Sequence, residues 1–161
     1  MDITAMKIWP FDEYAEASNG TYISNADLKK AMVPFEKIRK AVGDKMDIHV
    51  EFHSLWNLQQ AKQIAQALEE FRPYWSEDPI RMCDIATLKE YARSTRIPVC
   101  GSETLGGTAP FRDMLQAQAA DIVMLDVGWC GGLSEARRIA ALAHAWQRPV
   151  APHDCNGPVV W

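Results

Sequence analysis

The sequence has no apolar run near the roughly 18 residues that a membrane helix needs. Its start, Met1 to Pro10, lacks a basic segment leading into an apolar core, so it does not read as a signal peptide. It has no excess of positive charge either: 17 basic side chains against 21 acidic ones give a formal charge of −4. A nucleic-acid binder would show a basic face. There is no CxxC pair among Cys83, Cys100, Cys130 and Cys155, which argues against a zinc cluster, and a chain of 161 residues can fold without disulfides. The cysteines are expected to be buried or half-buried free thiols, with Cys155 alone near chemistry because it follows His153 closely. These absences predict a soluble, cytoplasmic protein with neither nucleic acid nor membrane as partner. With 48% hydrophobic and 24% charged residues the chain is globular rather than disordered.

What is present is alternation. Short runs suited to strands (Ile3 to Trp9, Met46 to Phe52, Tyr74 to Ser76, Val99 to Ser102, Asp121 to Leu125, Pro149 to Pro152) are separated by amphipathic stretches. The latter predict helices over Asn25 to Val42, Leu58 to Phe71, Ile85 to Ser94, Pro110 to Ala119 and Leu133 to Trp146, with Asp84 and Ser134 as N-caps and Gly43 closing the first helix. Pro10 to Ser24 is expected to be a long loop. Runs such as Ile122–Val123–Met124–Leu125 are apolar at successive positions, as in a parallel sheet buried on both faces.

Strand, helix and short loop repeated in this way mean βαβ units. No glycine-rich phosphate fingerprint follows the first strand, and polar residues end strand after strand, so a TIM-type barrel is favoured over a doubly wound sheet. About six βα units are present where a whole barrel has eight. The expectation is an α/β chain forming an incomplete barrel, a piece of a larger protein.

Glu51 (VEFH), Glu77 (WSEDP) and Glu103 (GSET) recur 26 residues apart, each at the end of an apolar run. On adjacent barrel strands they would converge, and converging carboxylates stay ionised only around a cation. Oxygen ligands at an open site favour Mg²⁺. Helix capping is the alternative for acids at such junctions. His153 and Asp126 end neighbouring strands, placing an imidazole beside a carboxylate as a catalytic base requires. His53 follows Glu51 by two residues, on the same side of an extended strand, and is a second candidate acid or base. Lys7 could hold a substrate carboxylate, act as a base, or be a solvated lysine. Gly131 and Gly132 are read as easing a turn, and His49 and His144 as structural.

The set TAMK, AVGDKMDIHVEFH, WSEDP, GSET, MLDVGWCGGLSEARRIAALA and APHDCNGP resembles the enolase superfamily, mandelate racemase/muconate lactonizing subgroup. Within it, the likeness is to sugar-acid dehydratases of the galactonate and mannonate type. The resemblance implies a C-terminal (β/α)₇β barrel domain covering residues 1–161, normally joined to an N-terminal capping domain. That cap and the first and last barrel strands are not in this sequence. It implies Glu51, Glu77 and Glu103 as Mg²⁺ ligands, Asp126–His153 as the dyad that removes the α-proton, and His53 as the acid for the leaving 3-hydroxyl. Lys7 matches the first lysine of a KxK motif whose second lysine is Trp9 here, which removes the opposing base that a two-base racemase needs. Glu51 stands where many members have Asp. Lys7, Trp9 and Arg81 are the candidates for contacting substrate. The implied activity is loss of water from a sugar acid through an enediolate to a 2-keto-3-deoxy acid, by an enzyme expected to be a homo-oligomer. A racemase, epimerase or cycloisomerase on the same scaffold, or an inactive truncated fragment, are the alternatives.

Overall fold

The computed structural model describes residues 3–154. Six strands, β1 (Ala5–Ile8), β2 (Asp47–Glu51), β3 (Trp75–Glu77), β4 (Val99–Gly101), β5 (Ile122–Asp126) and β6 (Val150–His153), are all parallel to their neighbours and lie in sequential order. A doubly wound sheet would reverse its order at a switch point, and this one does not. The sheet is an incomplete TIM-type barrel, a curled half-barrel with helices on its outer side.

The helices are α1 (Asp12–Ser18), α2 (Asn25–Val42), α3 (Leu58–Leu68), α4 (Ile85–Ala92), α5 (Thr108–Ala117) and α6 (Leu133–Ala145). Three begin on the side-chain caps that their sequences offer. Ser24 accepts the Asp27 amide, Asn57 the Gln60 amide and Asp84 the Ala86 amide. Ser134 is not a cap. The cap is two residues earlier, at Gly132, whose φ of 91° a side chain would strain. The expected loop at 10–24 contains a helix, α1: Phe11 and Ala15 are buried beneath it, and Asp12 and Glu13 sit in its first turn, where negative charge is favoured. It ends at Ser18 with Asn19 as its cap, and at the next residue, Gly20, a Cβ would lie 1.9 Å from the Leu55 carbonyl oxygen, so only glycine permits this approach.

Alternation along each strand sorts the side chains between two faces. Ile48, Val50, Val99, Val123 and Leu125 point outward into the main core, meeting Leu68, Leu88, Phe111, Met114 and Ile139 from the helices. Cys100, Ile122 and Met124 point inward, with Trp75 and Ala151 against them. The same parity turns Lys7, Glu51, Glu77, Asp126 and His153 inward, at or near the C-terminal ends of their strands. Of the cysteines, Cys100 and Cys130 are buried as expected, whereas Cys83 is exposed because it lies in the loop just before the Asp84 cap. Cys155 lies outside the described residues.

Candidate active site

Glu51 and Glu77 are direct partners in the β2–β3 register. Glu103 reaches the same point differently from the expectation. The residue opposite Glu77 on β4 is Cys100, and Glu103 stands beyond the strand, in the turn that follows it. Its long side chain turns back, and one oxygen from each of the three glutamates lies within 4.8 Å of the others.

Each carboxylate is fixed by its surroundings. Glu51 folds onto its own turn: Oε1 accepts the amides of Phe52 (3.0 Å) and His53 (2.8 Å). Glu77 Oε2 accepts the Trp75 indole N–H at 3.0 Å. The Lys7 ammonium bridges the two acids, 2.9 Å from Glu51 Oε2 and 2.6 Å from Glu77 Oε1. Burial and the adjacent Glu51 push Glu77 up to about 9, with Lys7 offsetting only part of this. Burial works against ionisation of Glu51 as well, yet Glu77, Lys7 and the His53 amide hold it below the usual range. Burial lowers Lys7, and the charges of Glu77 and Glu51 outweigh it and raise the group. One lysine does not neutralise this set, and burial with Glu51 favours the protonated form of Glu77 in the absence of a cation. A hard divalent cation that takes only oxygen ligands fits the donors present.

His153 sits at the other end of the cluster. Its Nδ1 lies 2.9 Å from Asp126 Oδ2, and its Nε2 lies 2.8 Å from Glu103 Oε2. Asp126 is fully buried and accepts the amides of Gly128 and Trp129 on Oδ1 at 2.7 and 3.0 Å. Burial opposes its charge, but His153 and these amides prevail and lower its pKa. The Trp129 ring lies 5.5 Å from the His153 ring.

Residues 1–161 match the enolase C-terminal domain-like family. This chain belongs to that family. An enolase of the mandelate racemase subgroup from Agrobacterium tumefaciens is 61% identical, with a TM-score of 0.96 over 98% of this chain and 43% of that one. D-gluconate dehydratase of Thermoproteus tenax is 31% identical over 149 residues, 92% of this chain and 30% of its own length. D-galactonate dehydratase of Xanthomonas euvesicatoria is 32% identical over 129 residues, 80% of this chain and 34% of its own. The chain therefore spans about a third of the length of these curated relatives.

Other site candidates on this enolase-type sheet are placed less simply. His53 does not continue β2 as an extended residue. The backbone is left-handed there and at Ser54 (φ 51° and 58°), so the parity argument for its direction fails. It is nevertheless held beside the cluster by its amide on Glu51. Trp9 meets the His53 ring edge-on at 6.1 Å and is half exposed. The Arg81 guanidinium donates to the Asn19 carbonyl at 2.7 Å, tying the end of α1. His49 stacks on Trp75 at 3.6 Å below the cluster, and His144 is exposed in the last turn of α6.

Two acids escaped the sequence reading. Asp78, next to Glu77, accepts the Ser102 hydroxyl at 2.8 Å, and burial pushes it up to about 8. Asp12 lies 2.8 Å from His53 Nδ1 through its Oδ2. Adjacency to Glu77 was a usable signal for Asp78. For Asp12 the only signal was its place in an acidic helix start.

Proposed function

We propose that this chain carries the catalytic face of a Mg²⁺-dependent sugar-acid dehydratase, completed by a capping domain and further barrel strands. The observation that carries the reading is His153, with one ring nitrogen on Asp126 and the other facing the three-glutamate cluster. The donor set of Glu51, Glu77 and Glu103 would hold the cation, whose charge makes the α-proton of a bound acid easier to remove. Asp126 accepts from Nδ1 and so leaves Nε2 as the atom that takes the α-proton. Lys7 supplies the positive charge nearest the cluster and suits the substrate carboxylate. His53 gives a proton to the departing 3-hydroxyl, and the enol product tautomerises to a 2-keto-3-deoxy acid. Dehydratases of gluconate and galactonate among the relatives support an aldonic acid as substrate class.

The deciding experiment incubates the completed enzyme with Mg²⁺ and a panel of aldonic acids, with 2-keto acids detected by NMR. Turnover of at least one acid is expected, and chelation should abolish it. Glu77→Gln should weaken Mg²⁺ binding by more than the roughly 10–100-fold typical of changes behind the ligands. Mg²⁺ binding at unchanged strength in that variant would sink the assignment of the metal ligands. An epimerase is the second reading, favoured by the pairing of both His53 and His153 with carboxylates; its signature is an isomerised acid with no loss of water.

A further inference from the structure

We infer that Asp12 is the positioning residue of His53, fixing which ring nitrogen is presented to the substrate. The inference rests on the reading of His53 as the proton donor in dehydration. Asp12 Oδ2 lies 2.8 Å from His53 Nδ1, joining residues 41 positions apart. The two are held together from both sides. On one side, α1 is seated by the fully buried Phe11, and Gly20 closes against the Leu55 carbonyl while its own carbonyl accepts the Asn57 amide at 2.9 Å. On the other, the His53 amide is bound to Glu51 and the Ser54 amide to the Asp78 carbonyl at 2.9 Å. With both backbones fixed, the ring keeps only its own torsions, and the Asp12 contact together with the Trp9 edge restricts them.

The structural duty of the acid is slight, a negative charge in the first turn of a seven-residue helix. The first turn of α1 has no side-chain cap, so Asp12 is not spent on the helix amides. Its Oδ1 is buried without a hydrogen-bond partner among the described residues. A carboxylate with one oxygen buried and unpartnered gains little stability from the single imidazole on its other oxygen. A carboxylate on one ring nitrogen is also how His153 is held, through Asp126. With Nδ1 engaged by Asp12, Nε2 remains for the substrate; it makes no hydrogen bond among the described residues. With Nδ1–H held by the carboxylate, the doubly protonated ring gives the leaving oxygen the proton on Nε2 and is left as the neutral Nδ1–H tautomer, its orientation set by Asp12.

Two measurements test this. In the ¹⁵N-histidine-labelled full chain, long-range ¹H–¹⁵N spectra at alkaline pH should show His53 as the Nδ1–H tautomer, with the resonance assigned by its loss in His53→Gln. Asp12→Ala should move it toward Nε2–H, and Asp12→Glu should keep it. In the completed enzyme, Asp12→Asn should lower kcat for dehydration about 10–100-fold, as other supporting partners do, with KM little changed. Exchange of the α-proton with D₂O should survive, and Asp12→Glu should recover part of the rate. A wild-type Nε2–H tautomer, or one that Asp12→Ala leaves unmoved, overturns the inference whatever the kinetics show. A tautomer that follows Asp12 while His53→Asn still dehydrates at full rate leaves the contact standing and removes the proton-donor reading beneath it.

Discussion

The two ends of the acid cluster hold histidines of the same kind in different settings. At the β5–β6 end, the His153 side chain is 15% exposed and its partner Asp126 is fully buried, its carboxylate also accepting the Gly128 and Trp129 amides. At the β2 end, His53 is 38% exposed and Asp12 26%, and the pair joins a left-handed turn to a short helix. His153 comes from within the sheet register, opposite Asp126, so strand geometry alone sets the pair. His53 comes from a loop and depends on a helix inserted after β1. A group that meets the substrate first and directly gains from rigid placement. A group that acts on a departing oxygen from beyond a strand end needs a partner from outside the register, which α1 supplies here through Asp12. The asymmetry therefore fits a base at His153 and an acid at His53.

Swapping each histidine for asparagine gives the largest expected effects and the sharpest challenge to that order. In the completed enzyme, His153→Asn should lose both dehydration and α-proton exchange with D₂O, each by roughly 10²–10⁴. His53→Asn should lose dehydration by a similar factor while the α-proton still exchanges, because C–O cleavage alone needs its proton. NMR of the substrate reads both. Exchange that survives in His153→Asn and vanishes in His53→Asn would reverse the roles.

The same contrast explains what could be read in advance. Residues set by sheet register were legible: alternation put Glu51 and Glu77 side by side and Asp126 opposite His153. Glu103 was found for an incomplete reason, since its spacing matches but the register places Cys100 opposite Glu77, and a flexible side chain makes up the difference. The direction of His53 was not legible, because histidine's enrichment at left-handed positions is too weak a mark to single this one out at the end of a strand. Helix α1 was overlooked because Pro10, Asn19 and Gly20 punctuate its segment as a loop would be punctuated. With α1 went Asp12, whose partner is distant in sequence and detectable only once the fold is known.

Between the histidines, the acids themselves titrate, and this sets an intermediate effect. Glu77 rises to about 9 and Asp78 to about 8, both through burial first. Without metal, the folded chain then holds more protons than the unfolded chain between the ordinary carboxylate range and pH of about 9. Stability from these groups is full at acidic pH and falls as pH rises through that window. Cation binding must displace the Glu77 proton, so Mg²⁺ should bind more tightly as pH rises. Thermal melts of the full chain in chelator should show a declining Tm from mildly acidic to alkaline pH, with the largest gain from added Mg²⁺ at the alkaline end. A chelated Tm that climbs over the same range would contradict the raised Glu77 and Asp78. The His153 ring, whose Nε2 faces Glu103, should change its NMR shifts on Mg²⁺ addition more than the His53 ring does.

The smallest effect concerns the mounts themselves. Asp126→Asn keeps an oxygen for the Gly128 and Trp129 amides but turns an amide toward His153 in a fully buried place. Losing a charge-assisted bond there should cost about 1.5–3 kcal/mol in urea unfolding. Asp12→Asn alters one partly exposed contact, and pairs of that kind are worth about 0–1 kcal/mol. Salt separates the two further. The Asp12–His53 contribution should fade as ionic strength rises, whereas the buried Asp126–His153 contribution should persist. The measurement is a double-mutant cycle for each pair, with asparagine at the acid and at the histidine, repeated at low and high salt. Equal coupling energies with equal salt dependence would mean that the two ends are mounted alike. Assigning the early step to one end and the late step to the other would then rest on the exchange experiment alone.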